Sequence, residues 1–333
     1  MKIVYLNPVS GFNNTLSSDT LWGLLCWGIR HIYGEEVLLS FIKSYSDTSR
    51  KPLLVTSAFR FITQGDKKKL FFPKPTLPTF TWSELTKDIK VKSKLTEIYS
   101  KVKKFKKLKM LDFEQYLRVL SGELTDYDLL DAKTSNYKDH FTGVDIQHNT
   151  IDRYNGSTID GSLFEKSVEF SKNSGIYFLV EGEEEQINLI EGALRYFEVN
   201  GFAGDSATGT NHFRIEIEEF TGFPVNKFNA YTNLSLVIPS KEEITLFKKN
   251  TSLFYYDMAI RKGKIWQGSL KAGSDFWKPS VITFREGSLF PAEGVQQIGS
   301  VKKIVERGNQ SPHDIYHYGL GFLVPVYIKG FEK

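Results

Sequence analysis

Residues Glu198–Phe220 read EVNGFAGDSATGTNHFRIEIEEF, and the parsing of this stretch decides the fold. Just upstream, Ile187, Ile190, Leu194 and Phe197 recur at helical spacing, with Glu183, Glu184 and Glu185 in the first turn, where the helix dipole favours acids. Asn200 and Gly201 supply a C-terminal stop. Downstream, Phe213, Ile215 and Ile217 alternate with Arg214, Glu216 and Glu218, the period of a strand with one buried face. The order is helix, loop of small residues, strand.

The loop runs Gly201, Phe202, Ala203, Gly204, Asp205, Ser206, Ala207, Thr208, Gly209, Thr210, Asn211. Its small side chains hardly shield the backbone, whose N–H groups can approach an anion such as a phosphodiester. A flexible connection after a helix cap is the simpler reading. The Gly204 to Gly209 spacing superficially resembles a Walker A loop, but Thr210 and Asn211 stand where Lys and Ser/Thr are required, and that motif runs strand to helix. Nucleotide hydrolysis is excluded on both counts.

A chain of 333 residues, 41% hydrophobic and 14% aromatic, buries a sizeable core and is expected to split into two domains. No apolar run reaches spanning length and the start MKIVYLNPVSGF lacks the apolar core of a signal peptide, so a soluble, cytoplasmic protein with no membrane partner is expected. The single cysteine, Cys26, excludes an internal disulfide and a cysteine-built zinc site. A formal charge of +4 is too mild to announce a nucleic-acid partner. Its distribution says more. Lysines crowd the stretch from Lys87 to Lys109, and the segment that follows to Asp131 carries mainly acids.

In chain order, Lys2–Val9 reads as a strand. SSDTLWGLLCWGIRHIYG then reads as an enclosed helix, with Ser17, Ser18 and Asp19 as capping types and Gly34 at the far end. Gly23 and Gly28 each cost about 1 kcal/mol relative to Ala inside a helix, which predicts a closely packed neighbour at both. Pro52–Pro78 reads as a hairpin turned at Gly65-Asp66, followed by Lys74 held between Pro73 and Pro75. Lys74 there is either an RNA contact or an ordinary exposed lysine. Residues 81–142 read as helices inserted between sheet elements. In HNTIDRYNGSTIDGSLFEKSVEF, His148–Phe170, Arg153 could bind phosphate or stack on a base, or serve a local turn with Asp152. Gly175–Val180 is a strand, and strand-like pieces recur at Leu234–Ser240, Leu253–Trp266 and Ser280–Phe290, with a hairpin expected at Arg261–Gly263, before the closing YHYGLGFLVPVYI.

These stretches together resemble one family. GFxGDxxxGxxxF between helix and strand looks like the glycine-rich loop of the RAMP superfamily, the RNA-binding proteins of CRISPR systems. SSDTLWG, the Ser-Ala-Phe strand, FFPKP, the Ile-Asp-Arg-x-x-Gly pattern at Ile151, Asp152, Arg153 and Gly156, and the closing YGLGFLVPV resemble the subunit of type III-A Csm effector complexes that grips the 5′ handle of crRNA. The resemblance implies an α+β protein of two ferredoxin-like (RRM-like) modules, 1–222 with a helical Lys-rich insertion at 81–142, and 223–333. It implies Ser17, Ser18, Thr20, Lys74, Arg153 and the loop residues Gly201–Ser206 and Gly209–Asn211 as RNA-binding. In the family the stretch around Arg153 surrounds a β-hairpin that packs on or wedges into the guide. Relatives commonly place a basic residue after the loop's Gly-Asp, where this chain has Ser206.

The implied function is non-catalytic: holding the crRNA 5′ handle and joining the large polymerase/cyclase-like subunit to the backbone RAMP subunit in antiviral defence. No metal and no cofactor are expected. The alternative is a metal-independent CRISPR-RNA-processing endoribonuclease, which would need a histidine. His31, His212, His313 and His317 show no convincing partner in sequence, and the last pair lacks the glutamate of an HExxH site.

Overall fold

The computed structural model describes residues 1–13, 16–47, 49–78, 82–87, 92–131, 137–202, 206–249, 251–263, 277–306 and 314–331. The chain opens with β1 (Lys2–Pro8), then α1 (Ser18–Tyr33), which ends where Gly34 takes a φ of 92°. After α2 (Glu35–Ser44) and the short β2 (Leu54–Val55), β3 (Phe59–Gln64) and β4 (Lys67–Pro73) form the expected hairpin, with Gly65 at φ 60°. The insertion is helical as its pattern predicts: α3 (Trp82–Thr86), α4 (Lys92–Lys107), α5 (Phe113–Leu120) and α6 (Asp126–Asp131), with β5 (Met110–Asp112) between α4 and α5. A long hairpin of β6 (Phe141–His148) and β7 (Phe164–Ser171) precedes β8 (Ser174–Glu181), α7 (Glu184–Asn200) and β9 (Phe213–Glu219).

The main sheet runs β5-β4-β3-β8-β1-β9, with β2 also on β8, and every pairing is antiparallel. Within it β3-β8-β1-β9, connected through α1 and α7, has the strand order of a β-α-β-β-α-β unit. The central strands are apolar at both parities, because both faces of the sheet are covered. Val4 and Leu6 of β1 with Ile176, Phe178 and Val180 of β8 pack under α1 and α7. Ile3, Tyr5, Tyr177 and Leu179 enter a second core with α5 and the C-terminal half.

That half contains β10 (Ala230–Asn233), α8 (Lys241–Lys249), β11 (Met258–Arg261), β12 (Val281–Phe284), β13 (Leu289–Pro291), β14 (Gly299–Val305), β15 (Ile315–Leu320) and β16 (Leu323–Val326). Its described residues form three small sheets, β13-β10-β16, β11-β12 and β14-β15, with α8 as their α-helix. A four-stranded sheet with two helices, the second module expected from the sequence, is not formed by them. From Gly263 on, Gly268, Gly273, Pro279, Gly287, Pro291, Gly294 and Gly299 recur at short intervals, which disfavours a second long helix over that stretch. The strand expected over Leu234–Ser240 is displaced to β10, and β11 pairs with β12 instead of turning tightly at Arg261–Gly263. Trp266, expected at a strand end, lies outside the described residues. Among the described residues no helix is long and apolar enough to cross a membrane.

The two helix glycines differ. A Cβ at Gly28 would meet the Ala193 Cβ at 2.6 Å and its Cα at 2.9 Å, so this glycine lets α1 approach α7. Nothing lies within 4 Å of a Cβ at Gly23, which corrects the expectation of close packing there. Both gain about 1 kcal/mol of helix propensity on replacement by Ala. Urea unfolding should therefore show Gly23→Ala stabilised by about that amount. Gly28→Ala should be destabilised, because overpacking of about 1–3 kcal/mol outweighs the gain. Equal stabilisation of both would contradict the packing.

Candidate nucleic-acid interface

The N-terminus of α1 is tied down by partners far along the chain. Ser18 is buried; its N–H donates to Ser57 Oγ at 3.0 Å and its Oγ accepts from the Leu236 N–H at 2.9 Å. Asp19 accepts a fork from Arg261 of β11, Nε to Oδ2 and Nη2 to Oδ1, both at 3.0 Å. The same Nη2 donates to Ser17 Oγ at 2.7 Å and reaches Thr20 Oγ1 at 3.4 Å. Ser17 Oγ in turn donates to Asp19 Oδ1. The three predicted contacts Ser17, Ser18 and Thr20 are thus brought together, in a polar knot that joins the two halves. Ser57 also donates to Glu286 in the turn before β13, adding a second stitch.

Burial would push the Asp19 carboxyl up, but the Arg261 guanidinium overrides it and holds the group below the usual carboxylate range. His317 of β15 faces Asp19 Oδ2 at 3.5 Å without hydrogen-bonding it, and burial holds its imidazole below the ordinary value. Burial also lowers Lys278 and raises Glu286. An interior that disfavours charge therefore keeps one strong ion pair, Asp19 with Arg261.

The glycine loop is folded back on the chain at both ends. Gly201 caps α7 at φ 79°, and its N–H donates to Phe197 O at 2.8 Å. Phe202 is buried between Phe197 and Phe213, ring centroids 5.1 and 5.6 Å away, and its N–H donates to Asn211 O at 2.8 Å. Gly209 donates to Ser206 O at 3.0 Å, and buried Asn211, at φ 60°, donates to Gly11 O at 2.8 Å while its Oδ1 accepts from the Asn13 N–H at 2.8 Å. These amides are already used within the protein. Ser206 and Ala207 begin a short 3-10 turn on the outer side, and Thr210 is half-buried. The predicted site residues Ala203, Gly204 and Asp205 lie outside the described residues.

The loop meets the hairpin through the turn after β1. Phe12 and Glu169 of β7 exchange backbone hydrogen bonds at 2.9 Å in both directions, and a Cβ on Gly11 would meet Val168 Cγ1 at 2.3 Å. Arg60 fixes the same base, pairing with Glu169 at 2.6 Å and lying over the Phe141 ring at 4.1 Å. Loop, turn and hairpin base are therefore joined through buried contacts and lie side by side. The hairpin then runs outward by roughly 17 Å from Glu169 to its strand ends, at about 3.4 Å per residue. Its tip carries exposed Arg153, shaped by Asp152, whose Oδ1 accepts from the Tyr154 N–H at 2.8 Å and whose carbonyl accepts from Gly156 at 2.8 Å.

Lys74 sits elsewhere and faces inward. Its Nζ pairs with the buried Asp126 at 3.2 Å and lies over the Phe105 ring at 4.5 Å, so it holds the insertion against the sheet. Of the alternatives in the sequence, an ordinary exposed lysine does not describe it.

Residues 226–326 match the family model of the CRISPR Csm4 C-terminal domain. The chain is similar to Csm4 proteins. Over 333 residues it is 25% identical to the CRISPR system Cms protein Csm4 of Thermococcus onnurineus (strain NA1), covering 97% of this chain and 96% of that protein. It is similar to a chain in the crystal structure of a Csm1-Csm4 cassette in complex with pppApA, with a TM-score of 0.61 and 20% identity over 99% of this chain and 98% of the other. A chain of a Csm3-Csm4 subcomplex in the type III-A CRISPR-Cas interference complex gives a TM-score of 0.60 and 18% identity over 98% and 99%. These likenesses extend the mixed α and β fold over nearly the whole length.

The hairpin tip of this Csm4-like chain holds a residue that the sequence reading passes over. Tyr154 is fully exposed beside Arg153, an aromatic with no intramolecular packing to explain it. The adjacent Arg-Tyr pair in a turn was the available signal. The histidines are dispersed: His31 stacks on Tyr196 at 4.9 Å, the His212 ring bonds Ser206 O at 3.1 Å, His317 is buried, and His313 lies outside the described residues.

The knot makes stability pH-dependent. Asp19 and His317 both bind protons less readily folded than unfolded, so stability rises with pH through their titration ranges. The His317 contribution is complete above its ordinary value of 6.5 and lost as pH falls through the lowered folded value. The Asp19 contribution is lost at lower pH still. Urea midpoints measured from about pH 7.5 to 5 should fall for the wild type, and His317→Gln should flatten that fall. An unchanged slope in the variant would contradict it.

Proposed function

We propose that this chain is a non-catalytic RNA-binding subunit of a type III-A Csm effector complex, holding the 5′ handle of crRNA. In that complex it joins the large polymerase/cyclase-like subunit to the backbone RAMP subunit. Full-length kinship with a Csm4 protein, and a shared fold with chains from Csm1-Csm4 and Csm3-Csm4 assemblies, support the placement.

The observation that carries RNA binding is the surface formed by the glycine loop, the Gly11 turn and the hairpin ending in Arg153 and Tyr154. A guanidinium and an exposed phenol ring side by side suit a single strand, whose phosphates take charge-assisted hydrogen bonds and whose bases stack. At the loop, the exposed turn over Ser206–Thr208 is where the guide's backbone would lie, since the Gly201, Phe202, Gly209 and Asn211 amides are engaged inward. Within the SSDT signature, Ser17 and Thr20 lie on the Arg261 knot and buried Ser18 bonds Leu236, so these residues act by fixing the two halves against each other. Lys74 contributes by holding the insertion, its charge already met by Asp126.

Fluorescence anisotropy with a guide RNA carrying its 5′ handle tests this. Arg153→Ala should bind about tenfold more weakly, the value of one charge-assisted contact of about 1.5 kcal/mol. Adding Tyr154→Ala should weaken binding by a further tenfold or so, as expected for a lost stacking platform. Unchanged affinity in the double variant would remove the hairpin from the site. Specific cleavage of the guide by the wild type would put the endoribonuclease reading in place of this one.

A further inference from the structure

The lysine run resolves into a directed surface. On α4, Lys103, Lys104, Lys106 and Lys107 fall within an arc of about 160° at 3.6 residues per turn, and Phe105, buried, points opposite. Ile98 and Val102 share the buried side and line a cleft with Tyr127 and Leu130 of α6. Lys109 continues the basic side into the loop before β5. All five lysines are exposed, and none of their side chains has an ion pair or hydrogen bond to the described residues.

Four of the surrounding acids are already matched elsewhere and do not balance them. Lys101 takes both Glu97, at 3.2 Å, and Asp131, at 2.8 Å; Lys74 takes Asp126 and Lys69 takes Asp112. Like charges three and four apart destabilise a helix, so Lys103 with Lys106 and Lys107, and Lys104 with Lys107, repel one another with no local relief beyond the helix C-terminal dipole. Tyr99, 61% exposed, lies on the same side one turn before Lys103. A cationic face with an aromatic beside it matches a single strand, whose phosphates supply closely spaced charge and whose bases supply π faces. An acidic protein surface would satisfy the charge but offers no regularly spaced phosphates to match lysines one, three and four residues apart.

This face is not the handle surface. Lys109 adjoins β5, one edge of the main sheet, and the glycine loop leads into β9, the other edge. Five strand spacings separate them, about 24 Å.

We propose that the α4 face formed by Lys103, Lys104, Lys106, Lys107 and Lys109 is a second, sequence-independent binding surface for single-stranded RNA, distinct from the surface that holds the handle. The RNA is either an outlying part of the guide or a segment of a second RNA strand; both present the same sugar-phosphate chemistry.

The test is the salt dependence of binding to oligouridine, which carries no handle sequence, by the full chain and by a variant with all five lysines changed to Gln. The wild type should bind, and the variant should lose at least about tenfold in affinity. Its slope of log K against log salt should shrink by about 2 to 3.5, given about 0.7 per phosphate neutralised on a single strand. The double variant Lys103→Gln/Lys107→Gln should fall between, which keeps the test informative if the five-fold variant folds poorly. Handle RNA should keep its affinity advantage over oligouridine in these variants; loss of that advantage alone would count against the two surfaces being separate. Crosslinking complexes with guide alone and with guide plus complementary strand then distinguishes the two sources. Unchanged oligouridine affinity and slope would overturn the proposal, and a simultaneous loss of assembly with partner subunits would assign the face to protein.

Discussion

A sheet that is apolar on both faces cannot stand with one face in water, and this constraint organises the molecule. β1 and β8 carry large apolar side chains at successive positions, so Leu6 and Phe178 need one cover and Tyr5 and Tyr177 another. The helices α1 and α7 supply the first. The second comes from α5 of the insertion together with Leu234, Phe322, Val324 and Val326 of the C-terminal half. Each fully buried Leu, Val or Phe contributes about 1.5–3 kcal/mol, so separating the halves would expose a core rather than part an incidental contact.

The polar knot at the start of α1 makes sense within that constraint. Once the second half lies over the sheet, Arg261 is placed to fork onto Asp19, Leu236 to bond Ser18, and Glu286 to accept from Ser57. A buried ion pair adds little net stability over an apolar substitute, but losing one partner strands the other charge. Such a pair sets the geometry of the halves more than it strengthens them. The geometry matters because the Gly11 turn and the glycine loop are positioned from the same region of the fold.

Much of this was legible in the sequence, wherever the signal is local. The α7 stop at Gly201, the Gly65 turn, the helical insertion and the alternation of β9 all follow from spacing and backbone chemistry. What the sequence hid was long-range. Nothing near Asp19 points to an arginine 242 residues away, and nothing near Lys74 points to Asp126, so Asp19 reads only as a helix cap and Lys74 as an RNA contact or an exposed lysine, when both are ion-paired. Gly23 and Gly28 are indistinguishable in sequence, and only the approach of Ala193 separates them. The second half misled for a different reason: its short strands pair across loops whose length masks the partner, as β11 does with β12. The same limit applied to the loop, where small residues suggested open amides. Its ends are instead closed by bonds to Phe197 and Gly11, contacts that require the fold to exist.

The account's central claim is that the guide RNA lies along the surface joining the glycine loop, the Gly11 turn and the β6–β7 hairpin. Photocrosslinking with 4-thiouridine placed at successive handle positions, followed by mass spectrometry of the crosslinked peptides, tests it most directly. Crosslinks should concentrate in residues 9–13, 203–212 and 148–163. Crosslinks confined to the outer face of α8 and β14, with those three segments unlabelled, would contradict it.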